Sequence, residues 1–245
     1  MITAETVNRI VQDEMREVST VTDPLRRAGN TGSRTKDRVQ NRVDEQTKRH
    51  FRRAAGVIDQ LLRTDGYDVL VAGGHEHELP EFLRLLPNEL RGQVAGTFSA
   101  DPAATPVAEI RGSAEGIVWQ YQRGQDGRLV DQVLELAAAG GPAAIGLQEC
   151  LWAGSMSAIE TLLVRDGAAM PGVVCDDSRW LATSGELCPV CGSHTRYTPD
   201  VLDELAAVVI GTGGSARQIA ADLMSEEYLA AAKLRFPPPP PDQGS

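Results

Sequence analysis

Apolar positions along the chain fall into runs with helical and strand periods. Val7, Ile10, Val11 and Met15 are spaced by three, one and four residues, the stripe of an amphipathic helix over 5–18. From Lys36 onward Val39, Val43, Thr47, Phe51, Ala54, Ala55, Ile58, Leu61 and Leu62 recur every three or four residues. That spacing predicts one long helix from about Thr35 to Arg63, thinly apolar in its first half and able to pack in its second. YDVLVA (67–72) reads as a buried strand ended by Gly73-Gly74, LPEFLRLLP (79–87) as a short helix, and QVAGTFSA (93–100) as another strand. In 108–123 Ile110, Ala114, Ile117, Val118 and Tyr121 have helical spacing, with Gly112 and Gly116 against it, and the polar GQDG (124–127) predicts a turn. Beyond it LVDQVLELAA (129–138) and AAIGLQECLWAG (143–154) predict helices and IETLLV (159–164) a buried strand. VLDELAAVVIGTGG (201–214) predicts a helix with a glycine C-cap, and KLRF (233–236) a last strand. The final PPPPPDQGS reads as a disordered polyproline tail. Helices alternating with strands predict an α/β chain in two domains.

Charge changes this picture at one place. The chain carries a net −10, yet Arg26–Arg53 holds ten of its 24 Lys+Arg residues and only three of its 34 Asp+Glu residues. Positive charge segregated on an acidic chain points to a polyanion, above all nucleic acid. Arg38, Arg42 and Arg49 share one helix face, with Arg52 and Arg53 one turn on, so they can neutralise successive phosphates and release counterions. Aromatic residues make up 4% of the chain, which favours recognition of backbone and shape over base stacking. The loop before the helix, RAGNTGSRT, has the glycines of a phosphate cradle but not its GKS/T ending.

The sequence contains no apolar run of membrane-spanning length, and its first residues are acidic, without the apolar core of a secretory signal. Four cysteines, two of them in Cys188-Pro-Val-Cys191-Gly, suit a reduced cytoplasm and a metal knuckle. Cys175 lies 13 residues before Cys188, but Ser178 stands where a second Cys-x-x-Cys would place its fourth thiolate. His194 or Asp177 is then the expected completing ligand, and the set Cys175, Cys188, Cys191 and His194 is the candidate structural zinc site, with an eroded, metal-free knuckle as its alternative. Cys150, beside Leu151 and Trp152, reads as an inert core residue. GGHEHE (73–78) has the composition of a metal site but no further ligand in reach, and reads as a polar turn. No G-x-S-x-G, H-E-x-x-H or G-x-G-x-x-G motif is present, so no catalytic constellation is assembled.

Taken in order, the glycine-bearing loop, long basic helix, VLVAGG and LP-x-EL resemble the middle domain of the archaeal and eukaryotic class-1 peptide release factor family. IETLLV, PG-V-V-C, CPVCG, VLDELAAVVIGTGG and LRF resemble its third domain. The resemblance runs over about 25–236 and is nearest the bacterial branch with the Balon-like hibernation factors, cousins of Pelota. It implies an α/β chain with two α/β domains, an RNase H-like mixed sheet in the middle domain and a kink-turn-binding ribosomal-protein-like third domain. The expected division is an unmatched N-terminal helix over 1–24, the middle-like domain over 25–128, the third-like domain over 129–236 and the tail over 237–245.

Two departures bear on function. The family's catalytic Gly-Gly-Gln should fall near Ser33, Arg34 and Thr35, where this chain reads Gly-Ser-Arg-Thr, so the Gln that positions the attacking water is absent. The stop-codon-reading domain has no counterpart in the 24 residues that precede the resemblance. The expectation is therefore a non-catalytic, monomeric cytoplasmic factor of the hibernation type that occupies the A site of the 70S ribosome, mimics tRNA and meets 23S and 16S rRNA. EF-Tu is the expected delivery partner, and no DNA or membrane partner is expected. The implied RNA-binding residues on the loop are Arg26, Arg27, Asn30, Arg34, Thr35 and Lys36. On the helix they are Arg38, Arg42, Lys48, Arg49, Arg52 and Arg53. A rescue peptidyl-tRNA hydrolase or tRNA nuclease, and a zinc-stapled interaction module without RNA, are the alternatives.

Overall fold

The computed structural model describes residues 45, 48, 49, 51–60, 63, 67–101 and 104–240. The chain is α/β and divides into two compact units between Gln122 and Arg123.

In the first unit, helix α1 includes residues 51–60, and Glu45, Lys48, Arg49 and Arg63 are helical as well. Its Ala54 and Ala55 are buried, and Ala55 joins Leu86 and Leu90 in a small core with Ile58, Leu70, Phe82 and Val94 against it. Phe51 meets Phe82 edge-on, ring centroids 5.4 Å apart. Strands β1 (Leu70–Gly74) and β2 (Val94–Ser99) pair in parallel. Helices α2 (Leu79–Leu85) and α3 (Asn88–Gly92) make the crossover between them. A Cβ on Gly96 of β2 would come within 2.8 Å of Ile117 Cγ2, so glycine allows helix α4 (Val107–Ala138) its close approach there.

α4 is the main departure from the sequence reading. The segment 124–127, expected as a turn closing a domain, is helical, and a single helix replaces an ambiguous segment, a turn and a helix. The expected domain join at 128 therefore lies inside a helix. The glycines that argued for a break are tolerated because the later part of α4 is held by burial of Val130 and Val133 rather than by intrinsic propensity.

The second unit is built on a four-stranded sheet in the order β3-β9-β4-β8, from Ala143–Ile145, Ala230–Leu234, Ile159–Arg165 and Ser215–Ile219. β9 runs antiparallel to β3 and β4, and β4 runs parallel to β8. Alternation on the central strands feeds two cores. Ile159 and Leu162 of β4 with Ala230, Ala232 and Leu234 of β9 face helices α5 (Leu147–Ser155) and α6 (Val201–Gly211), contributing Leu151, Leu202 and Leu205. Leu163 and Ala231 face the other way, with Val130 and Val133 of α4, Ile219 and Met224. The expected helix over 143–154 is instead a short strand, then Gly146 at φ +89°, then α5; a strand-to-helix corner at that φ favours glycine. α6 forms over the expected segment, and the structure adds its N-cap, the Asp200 carboxylate accepting from the Leu202 N–H at 3.0 Å.

A second sheet, β6-β5-β7 (Leu181–Ala182, Gly172–Val174, Arg196–Thr198), is antiparallel and carries the cysteine loops. After β9 the Trp152 indole N–H donates to the Pro239 carbonyl at 2.7 Å. No helix among the described residues is long and apolar enough to cross a membrane.

Candidate functional site

The cysteine centre is made of two turns of the same form. Cys175 follows β5, and the Arg179 N–H returns to the Cys175 carbonyl at 2.8 Å; Gly192 N–H returns to the Cys188 carbonyl at 2.9 Å. In both turns the fifth residue is left-handed, Gly192 at φ +73° and Arg179 at φ +61°. Glycine adopts that backbone freely and arginine does so at a cost, so the first turn keeps the conformation of the second without its favoured residue. Cys175-x-x-Ser178 and Cys188-x-x-Cys191 are thus two knuckles, one of which has a hydroxyl in place of its second thiol.

The Sγ atoms of Cys175, Cys188 and Cys191 all lie within 4.8 Å of one another, and Cys175 Sγ is 3.4 Å from Cys191 Sγ. Sulfurs about 2.3 Å from one tetrahedral ion stand about 3.8 Å apart, so the three thiols fit a metal at three corners. They are the one such His/Cys/Asp/Glu group among the described residues. His194, the expected fourth ligand, is exposed, pairs with Leu187 through an isolated bridge, and is not within the three-sulfur group. Ser178 Oγ lies 3.0 Å from Cys188 Sγ. A neutral hydroxyl is a weak ligand for a soft cation, so three thiolates would provide the affinity.

The thiols differ in environment. Cys175 and Cys188 are buried and Cys191 is exposed. Cys191 is held below the ordinary thiol range by hydrogen bonds from the Ser193 side chain and backbone, then from Cys175. The Ser193 hydroxyl is shared, since it also lies 2.6 Å from Asp177 Oδ2 and has one proton to give. Asp177, the other expected completing ligand, is thereby engaged outside the sulfur group. Cys150, buried 3.7 Å from the Ala144 carbonyl, is pushed far up by burial and then by Glu149, as befits a core thiol.

Of the RNA-binding residues expected on the loop and helix, Arg26, Arg27, Asn30, Arg34, Thr35, Lys36, Arg38 and Arg42 lie outside the described residues, as does the expected N-terminal helix. Lys48, Arg49, Arg52 and Arg53 are helical on α1, Arg49, Arg52 and Arg53 exposed and Lys48 half-buried, on the helix whose Ala54 and Ala55 turn inward. GGHEHE is a strand-to-helix turn: the His75 carbonyl accepts from the Glu78 and Leu79 N–H groups, and the His75 and His77 rings stack at 5.8 Å.

Comparison with known proteins agrees with this order of features. Residues 7–116 match the model of bacterial archaeo-eukaryotic release factor family 10. A Pelota homologue from Pyrococcus furiosus is 26% identical over 128 residues, which are 50% of this chain and 36% of the relative, so the chain spans about a third of that relative's length. Among solved structures, ribosome-bound archaeal Pelota with ABCE1 aligns with TM-score 0.49 and 20% identity over 77% of this chain and 49% of its own. The C-terminal domain of a peptide chain release factor from Methanosarcina mazei aligns with TM-score 0.39 and 19% identity over 55% of this chain and 98% of its own. The family match over 7–116 and the Pelota relative show that the chain is similar to release-factor-like proteins.

Proposed function

We propose that the chain is a non-catalytic ribosome-binding factor that occupies the A site of the 70S ribosome, with the loop over 27–36 directed at the peptidyl-transferase centre and the basic helix behind it along ribosomal RNA. One observation carries this reading. The release-factor-family match over 7–116 contains both the charge-segregated segment Arg26–Arg53 and Gly-Ser-Arg-Thr where the family's hydrolytic Gly-Gly-Gln would fall. The site keeps the means to bind a polyanion and lacks the side chain that positions water. Inhibition of translation by occupancy, delivery by EF-Tu, a monomeric state and a cytoplasmic setting follow from the same reading, as does zinc, held by Cys175, Cys188 and Cys191, as a structural staple.

Co-sedimentation through a sucrose cushion at moderate salt tests the binding; absence from both 70S and 50S fractions overturns it. Incubation with stalled peptidyl-tRNA complexes tests the lack of catalysis: peptide and tRNA should both remain intact. Released peptide would instead assign Arg34 or Thr35 the role of the missing Gln.

A further inference from the structure

The three thiols of the cysteine centre are not equivalent, and Ser178 is the reason. Its hydroxyl sits 3.0 Å from Cys188 Sγ, and the Val190 N–H donates to the same sulfur at 3.4 Å. Cys188 is buried and is contacted by Ser178, by the Val190 N–H and by the Cys191 side chain. Cys175 and Cys191 are left facing each other, Sγ to Sγ 3.4 Å, one from each knuckle. Cys175 is fully buried and Cys191 is at the surface. This is the disposition of an attacking sulfur and its resolving partner: one reachable from solvent, one behind it at contact distance.

We propose that Cys175 and Cys191 form a reversible intrachain disulfide by exchange with a low-molecular-weight disulfide. Cys191 gives its proton to solvent and its Sγ attacks one sulfur of that disulfide, forming a mixed disulfide and releasing one thiolate, which takes up a proton. Cys175 then gives its proton to solvent and its Sγ attacks Cys191 Sγ, breaking the mixed disulfide and releasing the second small thiol. Two protein thiols are oxidised by two electrons and one small disulfide is reduced to two thiols. The bond closes a loop of the chain from 175 to 191 and ties the two knuckles together. It also leaves Cys188 as the one thiol of the group, so the disulfide and a metal ion exclude one another. The inference does not depend on whether the chain meets the ribosome.

The test uses the full chain, reduced, stripped of metal with EDTA, and equilibrated with glutathione and glutathione disulfide over a range of ratios. Acid quenching, alkylation and mass spectrometry then read the thiols. The expected result is a loss of about 2 Da, two of the four cysteines shielded from alkylation, a peptide cross-link between Cys175 and Cys191, and full recovery with dithiothreitol. Cys188→Ser should retain the loss and Cys191→Ser should abolish it. Four alkylatable cysteines throughout, a mixed disulfide that stays on Cys191 unresolved, or a cross-link through Cys188 would each overturn the assignment. These readouts come from the wild-type chain, so a variant that fails to fold leaves the test intact.

Discussion

Ser178 Oγ stands 3.0 Å from Cys188 Sγ, at the corner where a second complete knuckle would place a thiolate. Exchanging that oxygen for sulfur in Ser178→Cys should produce a four-thiolate site and tighten binding of a soft divalent ion by at least about tenfold. Cobalt(II) titration, followed by thiolate-to-metal absorption and competed with zinc, measures it. Unchanged affinity would remove Ser178 from the corner.

The depressed Cys191 thiol gives a pH dependence with a definite sign. A lowered pKa means the thiolate fraction is already high where an ordinary thiol is protonated, so alkylation of Cys191 should reach its plateau at lower pH than a free cysteine. Removing the Ser193 hydroxyl in Ser193→Ala should shift that profile towards higher pH. Cys150, pushed the other way by burial, should stay unlabelled in the native chain and react only on unfolding.

Arg179 holds a left-handed backbone with an exposed side chain. Arg179→Gly should relieve the Cβ crowding and stabilise the fold by about 1 kcal/mol, less what glycine loses in the unfolded chain. Urea denaturation of the metal-free reduced protein reads this without interference from ligand binding.

Gly172 of β5 makes the opposite case. A Cβ there would lie 2.6 Å from the Ala182 carbonyl oxygen and 2.7 Å from Val201 Cβ, neither of which can swing away. Gly172→Ala should cost about 1–3 kcal/mol in urea denaturation. At Gly154 the obstacle is the flexible end of Leu205, 2.2 Å from the added atom, and the loss should be smaller.

Arg49, Arg52 and Arg53 are exposed on α1. Their replacement by alanine should lower ribosome affinity and reduce the slope of log affinity against log salt by roughly two to three units if all three neutralise phosphates. An unchanged slope would place rRNA contact elsewhere.

Much of the frame was legible because burial leaves a periodic trace. IETLLV announced β4, and VLDELAAVVIG announced α6. α4 was not legible. Gly112, Gly116, Gly124 and Gly127 each argue locally for a break, and the packing of Val130 and Val133 that overrides them is a tertiary fact with little sequence period. AAIGLQ misled for the converse reason: apolar residues on both sides of Gly146 read as one helix, although the backbone reverses there at positive φ. The three thiols could be gathered from spacing alone. The contact of Ser178 Oγ with Cys188 Sγ at 3.0 Å could not, because it depends on how the two turns are brought together, which spacing does not encode.

Leu162 and Leu163 are neighbours in sequence and belong to different cores. Both faces of β4 are therefore committed to packing, and β9 beside it, with Ala230 to Ala232 split between the same two layers, is committed likewise. These central strands offer no open sheet surface on which a base could stack or a substrate could lie. Whatever this half of the chain recognises must be met at its rim, so recognition there can drift over evolution by changing loops while the load of stability stays on strands that touch nothing outside.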